Sequence, residues 1–359
     1  MRKQITFYLI IFLITSSSTF GQKNRPQEPI EPYTYLTENI SFKNITDNIT
    51  LSGTLTLPKN GTIFSTVILI SGSGPQDRDS EILGHKPFLV IANYLTKNGI
   101  AVLRVDDRGV GKSTGEYNNS SLDGFKRDTE YAIKYLKTRK EISSSKIGLI
   151  GHSLGGTLAP IIANNTKDIN FIILLAGTGI RGDKLMLLQK EIIERKMGVN
   201  EIGISIGQKN IGGAYDIILK STSGIDSLKI ALKKHFTKVF GKALPENQIS
   251  MISQQLSIPW LTDFIKYDPK DNLQKVTCSV LALNGANDLQ VPAKENLTAI
   301  KNAIKGNGNN DVTTIEFPKL NHLFQKSKTG LPNEYGTIEQ TFSPEVLKVM
   351  IDWILERVK

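Results

Sequence analysis

The chain has 359 residues, with 44 Lys and Arg against 34 Asp and Glu, four His and a single Cys. One cysteine excludes an intramolecular disulfide, and four scattered histidines leave no zinc-ligand constellation. The formal charge of +10 is spread through helical segments rather than gathered in a tract, so it reads as solvated faces, with no nucleic-acid partner.

Met1-Arg2-Lys3, the apolar run from Ile5 to Ile14 and Ser16-Ser17-Ser18-Thr19-Phe20-Gly21 have the layout of a secretory signal peptide, residues 1–21, cleaved near Gly21. The run is too short to span a bilayer comfortably, and no cysteine follows it for lipid attachment. An exported protein is therefore expected, periplasmic or secreted, with no stable membrane anchor. An uncleaved N-terminal anchor is the alternative. Residues 22–32 are polar and contain prolines, and read as a flexible leader to a single domain over 33–359.

From Tyr33 to Pro58, as in Ile40-Ser41-Phe42 and Ile49 to Leu57, apolar and polar residues alternate, which predicts two antiparallel strands. Near-continuous apolar strands then alternate with helices. The strands are Ser65–Ile70, Ile100–Val105, one around Ile147, and Phe171–Leu175; the helices are about Pro87–Asn98 and Leu122–Thr138. This is the pattern of a mostly parallel sheet covered on both faces. From about 181 to 268 the strand signal gives way to helical spacing, as in Leu185, Leu188, Ile192 and Ile193. That stretch is a helical insertion, either extra helices on the core or a cap over a site. Strands resume at Val280–Leu283 and Thr314–Phe317, and a last amphipathic helix runs from about Pro344 to Val358.

Gly151-His152-Ser153-Leu154-Gly155-Gly156 sits between the strand at Ile147 and a helix-compatible segment. Strand, G-x-S-x-G, helix is the setting of an exposed nucleophilic serine; an ordinary capped turn is the bland reading. A serine hydroxyl needs a base, and the base needs an orienting acid. Of the four histidines, His152 is adjacent to the serine, His85 lies early, and His235 falls in the insertion. His322 follows the last strand and opens onto the carboxyl edge of the sheet. Asp288 occupies the loop after the preceding strand and is the acid. The order Ser153, Asp288, His322 is that of α/β-hydrolases. The Leu154 amide and one from the loop Ser71-Gly72-Ser73-Gly74, assigned to Ser73, are the oxyanion donors. Asp77-Arg78-Asp79 reads as a salt-bridge cluster or as a substrate-binding rim. Gly109–Thr114 looks like the end of a phosphate-binding loop, but its required first glycine is Asp106, so no nucleotide is expected.

Four motifs in order carry a resemblance: Ser71-Gly72-Ser73-Gly74-Pro75-x-Asp77-Arg78-Asp79, Asp106-Asp107-Arg108-Gly109-x-Gly111-x-Ser113, Gly151–Gly156, and the late Asp288 and His322. From about Ile40 to Lys359 the chain resembles bacterial α/β-hydrolases of the serine aminopeptidase/lysophospholipase-like type, closest to exported carboxylesterases. The resemblance implies an α/β-hydrolase fold with N-terminal antiparallel strands and a helical cap. It implies a carboxylesterase-type serine hydrolase that needs no cofactor or metal and takes a small-molecule ester. Where many relatives carry His-Gly in the oxyanion loop, this chain has Ser71-Gly72. The alternatives are a serine aminopeptidase or acyl amino-acid hydrolase, with Glu191, Glu194 and Glu201 available for a free amine, and a catalytically silent binding module.

Overall fold

The computed structural model describes residues 25–358, so the expected signal peptide, residues 1–21, lies outside the described residues. Alternation in the first two strands, β1 (Leu36–Asn44) and β2 (Ile49–Leu57), buries one face of β1 through Ile40 and Phe42 and leaves the other in solvent. The remaining strands are β3 (Phe64–Ile70), β4 (Ala101–Val105), β5 (Ile142–His152), β6 (Ile169–Leu175), β7 (Ser279–Gly285) and β8 (Val312–Phe317). They form one eight-stranded sheet in the order β1-β2-β4-β3-β5-β6-β7-β8. Pairing is antiparallel for β1–β2 and β2–β4 and parallel elsewhere.

The parallel strands are apolar on both faces because both are covered. The helices are α1 (Pro87–Lys97), α2 (Leu122–Lys137), α3 (Leu154–Asn165), α4 (Gly182–Lys196), α5 (Glu201–Lys220), α6 (Ile225–Phe240), α7 (Glu246–Leu256), α8 (Pro259–Lys266), α9 (Lys270–Leu273), α10 (Ala293–Lys305) and α11 (Pro344–Arg357). Val67 and Leu69 of β3 pack towards α1 and α11, with Phe88, Ile91, Val346 and Met350. Ile68 and Ile70 point the other way, to α2, α3 and α10, with Ile133, Leu158 and Ile300.

The insertion consists of α4 to α8 and has a core of its own, including Ile218, Leu232, Phe236, Leu256 and Ile265. Leu232 and Phe236 are fully buried there and contribute roughly 1.5–3 kcal/mol each. Its two ends are stapled together. The Gly182 amide donates to the Tyr267 carbonyl at 3.0 Å, and a Cβ at Gly182 would lie 1.8 Å from the Phe264 carbonyl oxygen. No described helix is long and apolar enough to cross a membrane.

Within the segment 22–32 that reads as a flexible leader, Arg25 and Gln27 are bonded to the domain, while Ile30, Glu31 and Pro32 are exposed. Arg25 donates to the carbonyls of Gly84 (3.0 Å), Leu83 (3.1 Å), Gly336 (3.2 Å) and Ile338 (2.5 Å). Gln27 donates to Phe342 O at 2.6 Å and accepts from the amides of Thr341 and Phe342. These partners are backbone groups more than 300 residues away along the chain for Gln27, so nothing in the local composition signals them.

Candidate active site

The turn from β5 to α3 is built on glycines because it has no room for a Cβ. At Gly151 one would lie 2.2 Å from the Gly155 carbonyl oxygen, at Gly155 2.2 Å from Ile70 O, and at Gly156 2.7 Å from the Gly177 Cα. Ser153 takes φ 53° and ψ −114°, a sparsely populated conformation that the surrounding contacts hold in place. Its amide donates to Leu175 O at 2.9 Å, its side chain makes no capping bond to α3, and Leu154 is the first residue of that helix.

Asp288 and His322 come together across two loops packed backbone on backbone. A Cβ at Gly285 would sit 2.1 Å from Leu320 O, and the Asn287 amide donates to that same carbonyl at 2.9 Å. His322 Nδ1 and Asp288 Oδ2 are 2.8 Å apart, with both residues buried. The other carboxylate oxygen of Asp288 accepts from the amides of Gln290 (2.8 Å) and Val291 (2.9 Å). Those bonds aim the free oxygen at His322 and fix its Nδ1–H tautomer, which leaves Nε2 to accept a proton. The His322 loop is wound around Asn321. Its fully buried side-chain oxygen accepts from the amides of Leu323 (3.0 Å) and Gln325 (2.9 Å), and its NH2 donates to Gln325 Oε1 at 3.0 Å.

Ser153 and His322 line one cavity of about 350 Å³, together with Gly72, Ser73 and His152. A second cavity of about 110 Å³ borders Ser153, Ser73 and Leu154 and is roofed by α4 and α8. Of the five residues singled out in the sequence, Ser153 and Ser73 border both cavities, His322 the larger and Leu154 the smaller, while Asp288 is bonded to His322 without lining either. Of the other histidines, His85 is fully buried, with Nδ1 3.0 Å from Thr341 Oγ1 and Nε2 3.0 Å from Tyr335 O. His235 Nε2 donates to Asn210 O at 2.7 Å within the insertion. Among the described residues no group of three or more His, Cys, Asp or Glu is placed to hold a metal ion.

Three supporting residues escape sequence reasoning. His152 Nε2–H donates to the His322 carbonyl at 2.9 Å, and the two rings lie 4.8 Å apart. Burial, then the neighbouring His322 ring, pushes His152 down to about 3, so it stays neutral. Asp107 lies behind the loop that carries Ser73. It accepts from Ser71 Oγ at 2.6 Å and from the Gln76 amide at 2.9 Å, while Tyr117 Oη accepts from the Gly74 amide at 2.9 Å. Burial pushes the Asp107 carboxyl up to about 7. Asn321 is the third. Their neighbours in the chain, Ser153, Asp106 and His322, carry the only sequence signal for them.

The ambiguous motifs prove structural. Arg78 forks onto Asp106 at 2.9 and 2.6 Å, and Asp79 pairs with Arg104. The Gly109–Thr114 segment closes on Asp106 too: Ser113 Oγ donates to Asp106 O at 2.8 Å, and a Cβ at Gly111 would lie 2.5 Å from Asp106 Oδ2.

The neutrality of His152 has a consequence for stability. Unfolded, its ring titrates near 6.5. Between there and about pH 3 the unfolded chain binds a proton that the folded one refuses, so stability falls as pH falls through that window. The expected contribution is at most about 1.4 kcal/mol per pH unit. Urea midpoints from pH 7 to pH 4 should decline less steeply for His152→Gln, which keeps an N–H donor without titrating. Equal slopes would contradict this.

Residues 87–200, from α1 through α4, the first helix of the insertion, match the family model described as serine aminopeptidase, S33. Esterase EstD of Thermotoga maritima is 26% identical over 318 residues, covering 88% of this chain and 68% of that protein. Two solved structures share the fold. The esterase Pf2001 of Pyrococcus furiosus superposes with a TM-score of 0.54 at 17% identity, covering 93% of this chain and 98% of that one. The α/β hydrolase GrgF of a Penicillium species gives 0.53 at 15% identity, covering 90% and 99%.

Proposed function

We propose that this chain, an α/β-hydrolase of the esterase type, is an exported serine carboxylesterase working through an acyl-enzyme on Ser153. The Ser153 hydroxyl attacks the ester carbonyl while His322 Nε2 takes its proton. Asp288 holds the imidazole and stabilises the charge it gains. The amides of Leu154 and Ser73 receive the oxyanion. The C–O bond of the ester then breaks, His322 gives its proton to the leaving alkoxide, and water releases the acid by the same steps in reverse order. The observation that carries this reading is the 2.8 Å contact between His322 and Asp288 at the wall of the cavity that Ser153 also lines.

The lining supports an ester over a peptide with a free amine. Glu191 and Glu201 are both paired with Arg195, and Glu194 with Lys190, so the insertion spends these carboxylates on its own cations. Glu81 is on the wall of the larger cavity, half-exposed and 3.8 Å from Lys86. What α4 and α8 present to Ser153 is mainly apolar: Leu185, Met186, Trp260, Leu261 and Phe264. The insertion acts as a cap that shapes the substrate site. Export rests on the layout of residues 1–21.

A panel of nitrophenyl esters run beside aminoacyl nitroanilides tests the proposal. Ester turnover should exceed anilide turnover by orders of magnitude. Faster anilide cleavage would replace the esterase reading with the aminopeptidase one, and turnover of neither would favour a binding module.

A further inference from the structure

We infer that the two cavities divide the substrate in a fixed sense: the larger holds the alcohol and the smaller holds the acyl chain. The protein is then an esterase for short acyl groups on bulky, largely apolar alcohols. The inference rests on the acyl-enzyme reading above and specifies its substrate class.

Ser153, Ser73 and Gln290 border both cavities, so the reacting carbon sits at their junction. The two sides differ in chemistry. His322 lines only the larger cavity, and Leu154 only the smaller. In an acyl transfer the base that takes the serine proton must hand it to the leaving oxygen, so the alcohol departs on the side of His322. The acyl group stays bonded to Ser153, with its carbonyl oxygen held by the Leu154 amide, and its tail extends on that side.

The sizes then set the preference. An apolar cavity of about 150 Å³ holds one benzene. At about 110 Å³ the acyl side is smaller than that, and takes a tail of roughly four carbons. Its walls are stiff: Leu185 and Leu261 are buried, and α4 is stapled to the end of α8 at Gly182. The alcohol side, about 350 Å³, is more than three times larger. Phe88, Ile91, Leu323, Tyr335 and Phe342 give it an apolar, aromatic wall, and Ser80, Gln76 and Gln290 give it a polar edge. A ring system or a long chain fits there, with room for a hydroxyl or ether at the edge.

Two substrate series test this, run on the full-length wild-type protein and on two cavity-wall variants. Nitrophenyl esters from acetate to decanoate vary the acyl group; acetates of ethanol, cyclohexylmethanol and 2-(1-naphthyl)ethanol, primary alcohols of similar leaving ability, vary the alcohol. kcat/KM is expected to fall about tenfold or more beyond pentanoate and to rise about tenfold from ethyl to naphthylethyl acetate. Met186→Ala, on the acyl wall, should move the chain-length limit upward and leave the alcohol ranking unchanged. Phe88→Ala should alter the alcohol ranking and leave the chain-length limit. A preference for decanoate over acetate, or variants that act on the opposite series, would overturn the assignment while leaving the acyl-enzyme intact. Absence of turnover across both series would instead remove the reading on which it rests.

Discussion

Ser153→Ala is expected to lower ester turnover by a factor on the order of 10⁴–10⁶ while the protein stays folded. The two halves of that expectation have separate causes. Alanine removes the attacking oxygen, and the remaining site offers only binding and oxyanion donors. Alanine also keeps the Cβ that the turn already accommodates at φ 53°, and the serine side chain makes no capping bond whose loss would cost stability. The amide bond to Leu175 O that anchors the turn is untouched. Thermal unfolding should therefore shift by no more than a surface substitution would, within about 0.5 kcal/mol. A large drop in melting temperature would mean that the hydroxyl has a structural role, and retained turnover would mean that Ser153 is not the nucleophile.

Asp288→Asn is expected to cost a factor on the order of 10³–10⁴ in kcat. Asparagine preserves shape and can still accept from the amides of Gln290 and Val291 at its one carbonyl oxygen. Its NH2 group then faces His322 Nδ1, where an acceptor is required. The imidazole must turn its lone pair to that side and carry its proton on Nε2, the wrong atom for a base. Asp288→Ala should be worse for stability, because it leaves the buried Val291 amide without a partner, at about 1–3 kcal/mol, and the partly buried Gln290 amide as well. Because triad members act as a unit, adding Asp288→Asn to Ser153→Ala should lower turnover little further. Kinetics of the single and double variants check this; additive losses would contradict a shared mechanism.

The three residues proposed as the triad were legible as candidates because each is tied to a strand end, and strand ends can be read from apolar runs. Gly151 to Gly156 marks the end of β5, Asn284-Gly285 that of β7, and Phe317-Pro318 that of β8. With four histidines in the chain, the base was a short search. The helix α10 was not singled out, although Leu297, Ile300 and Ile304 recur at helical spacing between the two loops that carry Asp288 and His322. The groups that hold the machinery in place were not legible either. His152 supports His322 through a backbone carbonyl 170 residues away, and Asp107 braces the Ser73 loop through a hydroxyl and an amide. Bonds to distant backbone leave no spacing pattern, whichever residue supplies the donor. The docking of Arg25 and Gln27 is hidden for the same reason, and their polar surroundings read as a leader when they are a strap. The cap was legible as helices, but which of its faces meets Ser153 depends on how α4 and α8 fold back. Only the fold brings Met186 and Trp260 to the cavity that Ser153 lines.

In the proposed mechanism everything depends on Ser153 forming the covalent bond. Treatment of the wild-type protein with an alkyl fluorophosphonate, followed by intact-mass and peptide mass spectrometry, tests it directly. One adduct per chain is expected on the peptide containing Ser153, with loss of ester turnover in proportion to labelling and no adduct in Ser153→Ala. An adduct on any other residue, or full labelling of Ser153 with turnover unchanged, would contradict it.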